Sequence, residues 1–204
     1  MSPSRETKPR ALSAAMRKSQ ILHAALGIGS KKGLAAMTMD DVAQAAKLSK
    51  GLPFYYFKSK QKLYLAMIEL FGKSVAERAS DVLDSSASPE TKLRGLAWAF
   101  VGALTIDCMH PQMLIEFWTL SLRDQEIAER LQQTRDVMCD RINGILGEIR
   151  EELSDLSAKT LYAGWLGIAS QWLLSGRSFD PKRSLDTSMD WFFCHTASKP
   201  QGAQ

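Results

Sequence analysis

Cysteine is scarce in this chain of 204 residues, which has three: Cys108, Cys139 and Cys194. They are widely spaced and include no CxxC pair, so the sequence predicts neither a disulfide framework nor a zinc site. We expect three reduced, buried thiols, no metal and no cofactor.

The sequence also lacks a long apolar run. No stretch approaches the roughly 20 consecutive apolar residues that are needed to span a bilayer. The opening decapeptide, MSPSRETKPR, is polar and has no signal-peptide core. We therefore expect a cytoplasmic protein that does not cross a membrane.

Catalytic signatures are absent as well. The three histidines, His23, His110 and His195, are scattered along the chain. There is no HExxH, no GxSxG and no glycine-rich phosphate loop. The sequence therefore predicts that the protein is not an enzyme.

What the sequence does contain is helical periodicity along nearly its whole length. No stretch of strict apolar-polar alternation exceeds four or five residues, and 45% of the residues are apolar, which is enough to form a core. We predict an all-α fold of about nine helices. The pattern divides it into a mobile arm at residues 1–12, a three-helix domain at 13–62 and a larger helical domain at 63–204.

Local signals place the individual helices. Thr38 and Asp41 have the spacing of a capping box, and Pro89 marks a fresh helix start after a serine-rich linker. Thr38 and Ser49 are the predicted caps of the second and third helices, while the first and fourth helices are predicted to begin at about Ser13 and from Ser59. Later helices are predicted at about 90–107, 112–122, 125–153, 157–175 and 184–197.

Charge is distributed unevenly along the chain. Residues 1–62 carry 12 basic and 3 acidic residues, a net charge of +9, whereas the remainder carries 14 basic and 19 acidic residues, a net charge of −5. Such a basic block suits either the phosphate backbone of a nucleic acid or a membrane surface. Charge by itself leaves both partners open.

The segment 37–57 has the length and rhythm of a helix-turn-helix, with a turn at Lys47 and Leu48. Four apolar residues would pack its two helices together: Val42, Ala43, Ala46 and Leu48. The following run, KGLPFYYFKSK, sets aromatic residues among lysines. Hydroxyl and ammonium donors are thereby placed where DNA phosphates would run.

Across ILHAALGIGSKKGLAAMTMDDVAQAAKLSKGLPFYYFKSKQKL the chain resembles the TetR family signature without a gap. The matching positions are Ala24-Ala25, Gly33, Thr38, the turn 46–49, the aromatic run 54–57 and Ser59-Lys60. The resemblance implies a homodimeric repressor with an N-terminal helix-turn-helix and a C-terminal effector-binding and dimerisation domain.

Carried over by position, the resemblance places DNA contacts on residues of the second and third helices and at the start of the fourth. Lys50, Gly51 and Phe54 fall where such proteins approach base edges. The full set is Thr38, Ser49, Lys50, Gly51, Leu52, Phe54, Tyr55, Tyr56 and Lys60. Two alternatives stay open: Phe54 and Phe57 as core residues, and Lys60 as a solvated surface lysine.

The chain departs from the family pattern at three positions of this motif. Lys47 replaces the usual turn glycine, and Leu52 replaces a residue that often carries a hydroxyl. Pro53 removes a backbone amide from the first turn of the recognition helix. We therefore predict that this helix begins late or with a distorted turn.

Two apolar stripes side by side on residues 161–173, followed by an apolar final helix, predict burial on two sides. One side would be the protomer's own core and the other a partner subunit, with small residues at 163, 164 and 167 allowing close approach. The alternative is one large monomeric core. The predicted dimer-interface residues are Trp165, Ile168, Trp172, Met189, Phe192 and Phe193.

Aromatic residues and methionines concentrate between positions 98 and 118, close in sequence to Asp107 and Glu116. They form a candidate effector pocket, whose aromatic faces and carboxylates would suit a cationic ligand; the alternative is ordinary core packing. The predicted pocket residues are Trp98, Phe100, Met109, Met113, Phe117 and Trp118. The segments LIEFWTLSLRD and GWLGIASQWLLSGRSFDPKRSL resemble the C-terminal half of the choline-responsive repressors of betaine synthesis.

The sequence thus predicts a dimeric, DNA-binding transcriptional regulator. Its partners would be double-stranded operator DNA, a second copy of the chain and an unidentified small-molecule effector that releases the operator. The rival hypothesis is a helical membrane-surface or lipid-carrier protein, whose basic third would dock onto lipid headgroups.

Overall fold

The computed structural model describes residues 13–107, 111–149 and 155–197; the predicted mobile arm lies outside these ranges. Within them the chain forms nine α-helices and one π-helical turn, with no strand, which confirms the all-α fold. The helices are α1 Ala14–Lys32, α2 Met39–Ala45, α3 Leu52–Phe57, α4 Lys60–Leu83, α5 Pro89–Gly102, α6 Pro111–Ser121, α7 Gln125–Ile149, α8 Asp155–Leu174 and α9 Pro181–Ala197, and the π-helical turn Ala103–Asp107 follows α5.

The helices α1, α2 and α4 begin where the sequence predicts them. The Ser13 hydroxyl accepts the amide of Met16, the Ser59 hydroxyl accepts that of Lys62, and Thr38 forms the complete capping box. α9 begins at Pro181, earlier than predicted, because proline suits a first turn and the Asp180 carboxylate accepts the Lys182 amide. Such side-chain acceptors satisfy amides that a helix start leaves unpaired.

The N-terminal helices α1, α2 and α3 surround a small core. Ile21, Met37 and Val42 are fully buried in it, and Ala43 and Ala46 are buried nearly as deeply. Leu48 packs against this core from the turn. The predicted packing of α2 against α3 is therefore confirmed.

The long helix α4 joins this N-terminal head to the remaining helices. Leu63 and Met67, in its first half, are buried with the head, while Phe71 and Val75 are buried against α5 and α7. One continuous apolar core therefore runs through both parts. The predicted boundary at residue 62 falls inside the first turn of α4, so this helix is shared by the two units.

The C-terminal helices form a bundle in which α5 packs against α4, α7, α8 and α9. α4 and α5 approach closely, since a Cβ placed on Gly95 would lie 2.5 Å from a methyl group of Val82. α8 and α9 pack against each other at one side of the bundle. None of the helices in the described ranges has the length and apolar character that crossing a bilayer requires.

Candidate nucleic-acid interface and inner cavities

The turn between α2 and α3 is closed by two backbone hydrogen bonds. The Leu48 amide donates to the Ala43 carbonyl and the Lys47 amide to the Gln44 carbonyl, which is the Schellman arrangement. Gln20 of α1 donates to the Ala46 carbonyl at 2.8 Å and ties the turn to the first helix. Lys47 occupies the left-handed position, with φ of 55°, that usually holds glycine.

Replacing Lys47 with glycine should stabilise the protein by about 1 kcal/mol, because glycine adopts this backbone conformation without the Cβ clash. Urea unfolding of the purified protein measures the change. Lys18→Gly is the matched control: it removes an exposed lysine from the interior of α1 and should destabilise by about 1 kcal/mol. A Lys47→Gly protein no more stable than the parent would contradict the argument.

The recognition helix α3 begins late. It starts at Leu52 with Gly51 in the N-cap position, and among the described residues no side chain caps it, so the predicted Ser49 cap is wrong. Ser49 instead uses its carbonyl, which accepts the Leu52 amide at 3.0 Å. Pro53 lies in the first turn of α3, where the sequence predicts it. Its missing amide is harmless there, because first-turn amides have no partner within the helix.

Phe54 and Tyr55 project outward from α3, with 49% and 67% of their surfaces exposed. Phe57 is buried, which confirms its alternative assignment to the core, and Tyr56 packs against the core from a half-buried position. For Phe54 the core alternative is wrong. Leu52 is half-buried, so it presents less surface than its aromatic neighbours.

Lysine side chains flank this aromatic surface. Lys50 lies beside Gly51 and forms an exposed ion pair with Asp40 of α2 at 3.1 Å. The Lys58 ammonium lies 5.0 Å from the centre of the Tyr55 ring. Exposed ion pairs contribute little to stability. Phosphate can therefore displace Asp40 from Lys50 at small cost.

Thr38 and Lys60 are more constrained. The Thr38 hydroxyl donates to the Asp41 carboxylate and accepts the Asp41 amide. A hydrogen bond from Lys32, together with the Thr38 amide, lowers the pKa of Asp41 to about 2. The Lys60 ammonium donates to the Ala35 carbonyl at 3.1 Å, and partial burial lowers its pKa. Both residues therefore already have partners within the protein.

The loop between α1 and α2 is anchored to the C-terminal bundle, which the sequence did not indicate. The Leu34 amide donates to the Glu116 carboxylate of α6 at 2.5 Å, and the Tyr64 hydroxyl donates to the Leu34 carbonyl. Burial, together with the nearby Glu116, raises the pKa of Tyr64 to about 12. The Glu116 carboxylate is therefore occupied by a hydrogen bond to the head, and its prediction as a carboxylate of the effector pocket is corrected.

The predicted effector residues do not form one cage. Met113 and Phe117 are buried where α6 meets α1 and α4: Met113 lies against Gly29, and Phe117 lies edge-on to Tyr64. Trp98 contacts α9 instead, with the Lys182 ammonium 4.3 Å from its ring centre. The predicted pocket residues are thus mainly residues of the hydrophobic core, which was the alternative interpretation of this aromatic cluster.

Of the remaining three, Phe100 is buried beside Phe71 and Tyr162, and Trp118 is partly exposed on α6. Met109 lies outside the described residues. Phe100 and Trp118 each line a cavity, but the two cavities are different.

Two neighbouring cavities lie along α7 and share Phe71, Thr134 and Tyr162 in their walls. Cavity A, of about 290 Å³, is bounded by α4, α5, α7 and α8. Cavity B, of about 270 Å³, is bounded by α4, α6, α7 and α8. Cavity A is lined by Glu69, Phe71, Gly72, Lys73, Phe100, Arg130, Gln133, Thr134, Val137, Met138, Arg141 and Tyr162. Cavity B is lined by Ile68, Phe71, Leu114, Trp118, Ser121, Ala128, Leu131, Gln132, Thr134, Arg135, Tyr162 and Leu166.

The predicted dimer-interface residues divide into two groups. Trp165 and Met189 are fully buried in the protomer's own core, so they have no surface for a partner and their assignment is corrected. Ile168, Trp172, Phe192 and Phe193 are half-buried and keep some surface.

The sequence missed two large apolar residues beside them, Leu174 of α8 and Trp191 of α9, which are exposed. The small residues Ala163, Gly164 and Gly167 are also exposed on α8.

A three-helix head with a tight turn before an exposed short helix, joined by one long helix to a helical bundle, defines a helix-turn-helix protein with an appended helical domain. Residues 21–67 match the family described as bacterial regulatory proteins, tetR family. The head of this chain is therefore a helix-turn-helix domain of the TetR family. The narrower likeness to choline-responsive repressors stays a prediction.

Similar proteins include the HTH-type transcriptional repressor KstR2 of Mycobacterium tuberculosis, which is 30% identical over 132 residues. That match covers 62% of this chain and 65% of KstR2, slightly less than two thirds of the relative. The HTH-type transcriptional regulator BetI of Pseudomonas aeruginosa is 26% identical over 184 residues, covering 86% of this chain and 91% of BetI. The crystal structure of a TetR-like transcriptional regulator from Rhodococcus sp. RHA1 superimposes with a TM-score of 0.69 at 23% identity, covering 95% of this chain and 100% of that one.

Proposed function

We propose that this protein is a dimeric transcriptional repressor of the cytoplasm, without enzymatic activity, that binds operator DNA through α3 and is released by a small-molecule effector. The observation that carries the proposal is the outward face of α3, where exposed Phe54 and Tyr55 lie among Lys50 and Lys58 on a head that matches the family. Buried helices do not present such a combination of aromatic and cationic groups.

The geometry of the head suits the major groove. Phe54 and Tyr55 lie three and four positions after Gly51, the residue that precedes α3, so they lie on the same side of the helix as its start. The Lys58 ammonium, just after α3, lies over the Tyr55 ring. Gly51 lets the backbone at the start of α3 approach base edges, and the tyrosine hydroxyl and lysine ammonium groups can donate to phosphates.

Two heads are needed to read a palindromic site, because half-sites lie about one helical turn apart. The face that would bring them together is the exposed side of α8, where Ala163, Gly164 and Gly167 allow a second helix to approach closely. Leu174 and Trp191 add exposed apolar surface on α8 and α9. Burying this surface against a second copy would supply the driving force for dimerisation.

A movement of α6 caused by effector binding would be transmitted to the head through α6 and α4. Leu114 and Trp118 of α6 line cavity B, and Glu116 lies between them and holds the Leu34 amide of the head. In the turn after α6, the Asp124 carboxylate accepts a hydrogen bond from Gln61 of α4 at 2.8 Å. An effector that fits only one position of α6 would therefore favour one position of the heads, which is the differential affinity that release requires.

Selection of bound fragments from the organism's own genome tests the proposal with purified, full-length protein. An enriched palindrome whose binding falls steeply with salt supports it, since salt dependence reports phosphate contacts. Binding to anionic lipid vesicles without any enriched DNA sequence would instead support the membrane-surface hypothesis and overturn this one.

Replacing Tyr55 with alanine should weaken operator binding about tenfold or more, because it removes a hydroxyl donor to a charged acceptor. Fluorescence anisotropy with a labelled operator measures the change. Leu122→Ala truncates an exposed apolar residue, 84% exposed and outside the helix-turn-helix, and should leave affinity unchanged. Equal affinities of Tyr55→Ala and the parent for the operator would show that Tyr55 does not contribute to DNA binding.

Replacing Pro53 with leucine should change which operator sequences are preferred, because it restores an amide to the first turn and allows α3 to begin earlier. A randomised-site selection compares the two profiles directly. Thermal unfolding of the variant serves as the control for folding. An unchanged profile would show that Pro53 does not set the approach of Lys50 to the groove.

A further inference from the structure

We propose that the effector is an amphipathic organic anion, whose apolar body fills cavity A and whose anionic group is held at the rim by Arg130, Arg141 and Lys73. The inference rests on the proposed function as an effector-released repressor and names the class of ligand. It replaces the cationic ligand that the aromatic composition suggested.

The interior of cavity A is apolar. Phe71, Phe100 and Met138 form its buried wall, and Tyr162 adds a ring that it shares with cavity B. Burial raises the pKa of Tyr162 to about 12, so its phenol stays neutral at physiological pH. The buried residues of the described lining therefore carry no charge, and an apolar ligand body can be accommodated against them.

The rim of cavity A is cationic. Three basic residues line it against a single carboxylate among the described lining residues, that of Glu69, which leaves a charge of +2. Glu69 is shared, since its oxygens lie 2.8 Å from the Lys73 ammonium and 3.9 Å from an Arg130 guanidinium nitrogen. One carboxylate thus offsets two cations incompletely, and Arg141 adds a further positive charge.

This charge arrangement discriminates between ligand classes. A carboxylate or phosphate at the rim would gain charge-assisted hydrogen bonds from arginine, which can be bidentate. An ammonium group would meet net positive charge there. The aromatic residues that could have formed a cage for a cation are dispersed: Trp98 is already covered by Lys182, and Phe117 is buried against Tyr64.

Cavity B gives room for a longer apolar body. The two cavities share side chains of Phe71, Thr134 and Tyr162 in their walls, and together they fall within the range of roughly 300–1,000 Å³ common for small-molecule sites. A ligand extending past Tyr162 would contact α6 at Leu114 and Trp118, the helix that holds the head. The same ligand can therefore anchor at the cationic rim and act on α6.

Three ten-carbon probes that differ only in the headgroup test the proposal: decanoate, decanol and decyltrimethylammonium, each below its micelle-forming concentration. Titration calorimetry with the purified full-length protein should show decanoate binding at least tenfold more tightly than the ammonium compound, with decanol between them. Decanoyl coenzyme A is a fourth arm. It distinguishes a free carboxylate, which decanoate represents, from a phosphate-bearing conjugate.

The double variant Arg130→Gln, Arg141→Gln should lose most of the preference for decanoate over decanol, because the apolar cavity remains while two rim charges are removed. Arg123→Gln is the matched control, since Arg123 is exposed in the turn after α6 and lines neither cavity. Circular dichroism checks that each variant folds. Because the probe series is also run on the parent protein, a misfolded variant does not leave the proposal without a test.

Operator binding without ligand is measured alongside, so that the two proposals fail separately. A protein that binds its operator but binds none of the anionic probes, or binds the ammonium probe as tightly as decanoate, overturns the anionic effector and leaves the repressor intact. A protein that prefers the anionic probes through Arg130 and Arg141 but selects no operator supports the ligand class and overturns the repressor.

Discussion

Replacing Gly33 with alanine should destabilise the protein by about 3 kcal/mol, the largest effect we expect from the loss of a single glycine. Gly33 ends α1 with φ of 80° and ψ of 157°, a conformation that is essentially restricted to glycine. A Cβ at this position would also lie 2.9 Å from a carboxylate oxygen of Glu116. The strain falls on the loop between α1 and α2, which contacts the bundle through Glu116, and chemical unfolding measures the loss of stability.

A control within the same helix separates backbone strain from loss of glycine as such. Gly27 is an exposed interior residue of α1, and a Cβ added there would have no described atom within 4 Å apart from its own helix backbone and its chain neighbours. Gly27→Ala should therefore stabilise by up to about 1 kcal/mol. Combining Gly33→Ala with Glu116→Ala removes the steric contact but not the dihedral strain. Equal stability of Gly33→Ala and the parent would refute the conformational argument.

Replacing Gly167 with arginine should convert the protein to a monomer and weaken operator binding about 100-fold, because two linked heads bind far more tightly than one. Gly167 is exposed on the small-residue face of α8, and the space around its Cβ is open in the protomer. The arginine therefore fits the isolated chain and obstructs only a helix packed closely against this face. Sedimentation velocity and operator titration measure the two effects.

Gly144→Arg is the matched control for this variant. Gly144 is an exposed interior residue of α7, also with open space around its Cβ, and lies outside the proposed dimer face. The Gly144→Arg protein should remain dimeric and bind the operator as tightly as the parent. If Gly167→Arg sediments as the parent does while still folding, the dimer face lies elsewhere on the molecule.

The predicted parts of the fold were those governed by neighbours in sequence. Thr38 and Asp41 form their capping box, Ser59 starts α4, and Pro53 lies in the first turn of a recognition helix that begins late. Each depends on backbone groups within a few residues of the side chain. The predicted cap at Ser49 was wrong because the conformation of the turn places Gly51 in the N-cap position, two residues further along the chain.

The parts that could not be predicted depend on which helix faces of the bundle meet. Glu116 looked like part of a ligand cage because aromatic residues surround it in sequence, yet its carboxylate reaches Leu34, 82 positions away. Periodicity shows that a helix has an apolar face but not which element covers it. Trp165 and Met189 therefore satisfied the pattern of an interface while lying in the protomer's core.

The sequence by itself determined the all-α class, the helix-turn-helix and the concentration of positive charge in the first 62 residues, since these follow from local propensity, spacing and composition. Only the tertiary structure decided that Phe54 and Tyr55 are exposed, that Glu116 joins head to bundle, and that Arg130 and Arg141 meet at the rim of an apolar cavity. The reason is that burial and charge pairing arise between helices distant in sequence, whose mutual packing no local pattern specifies.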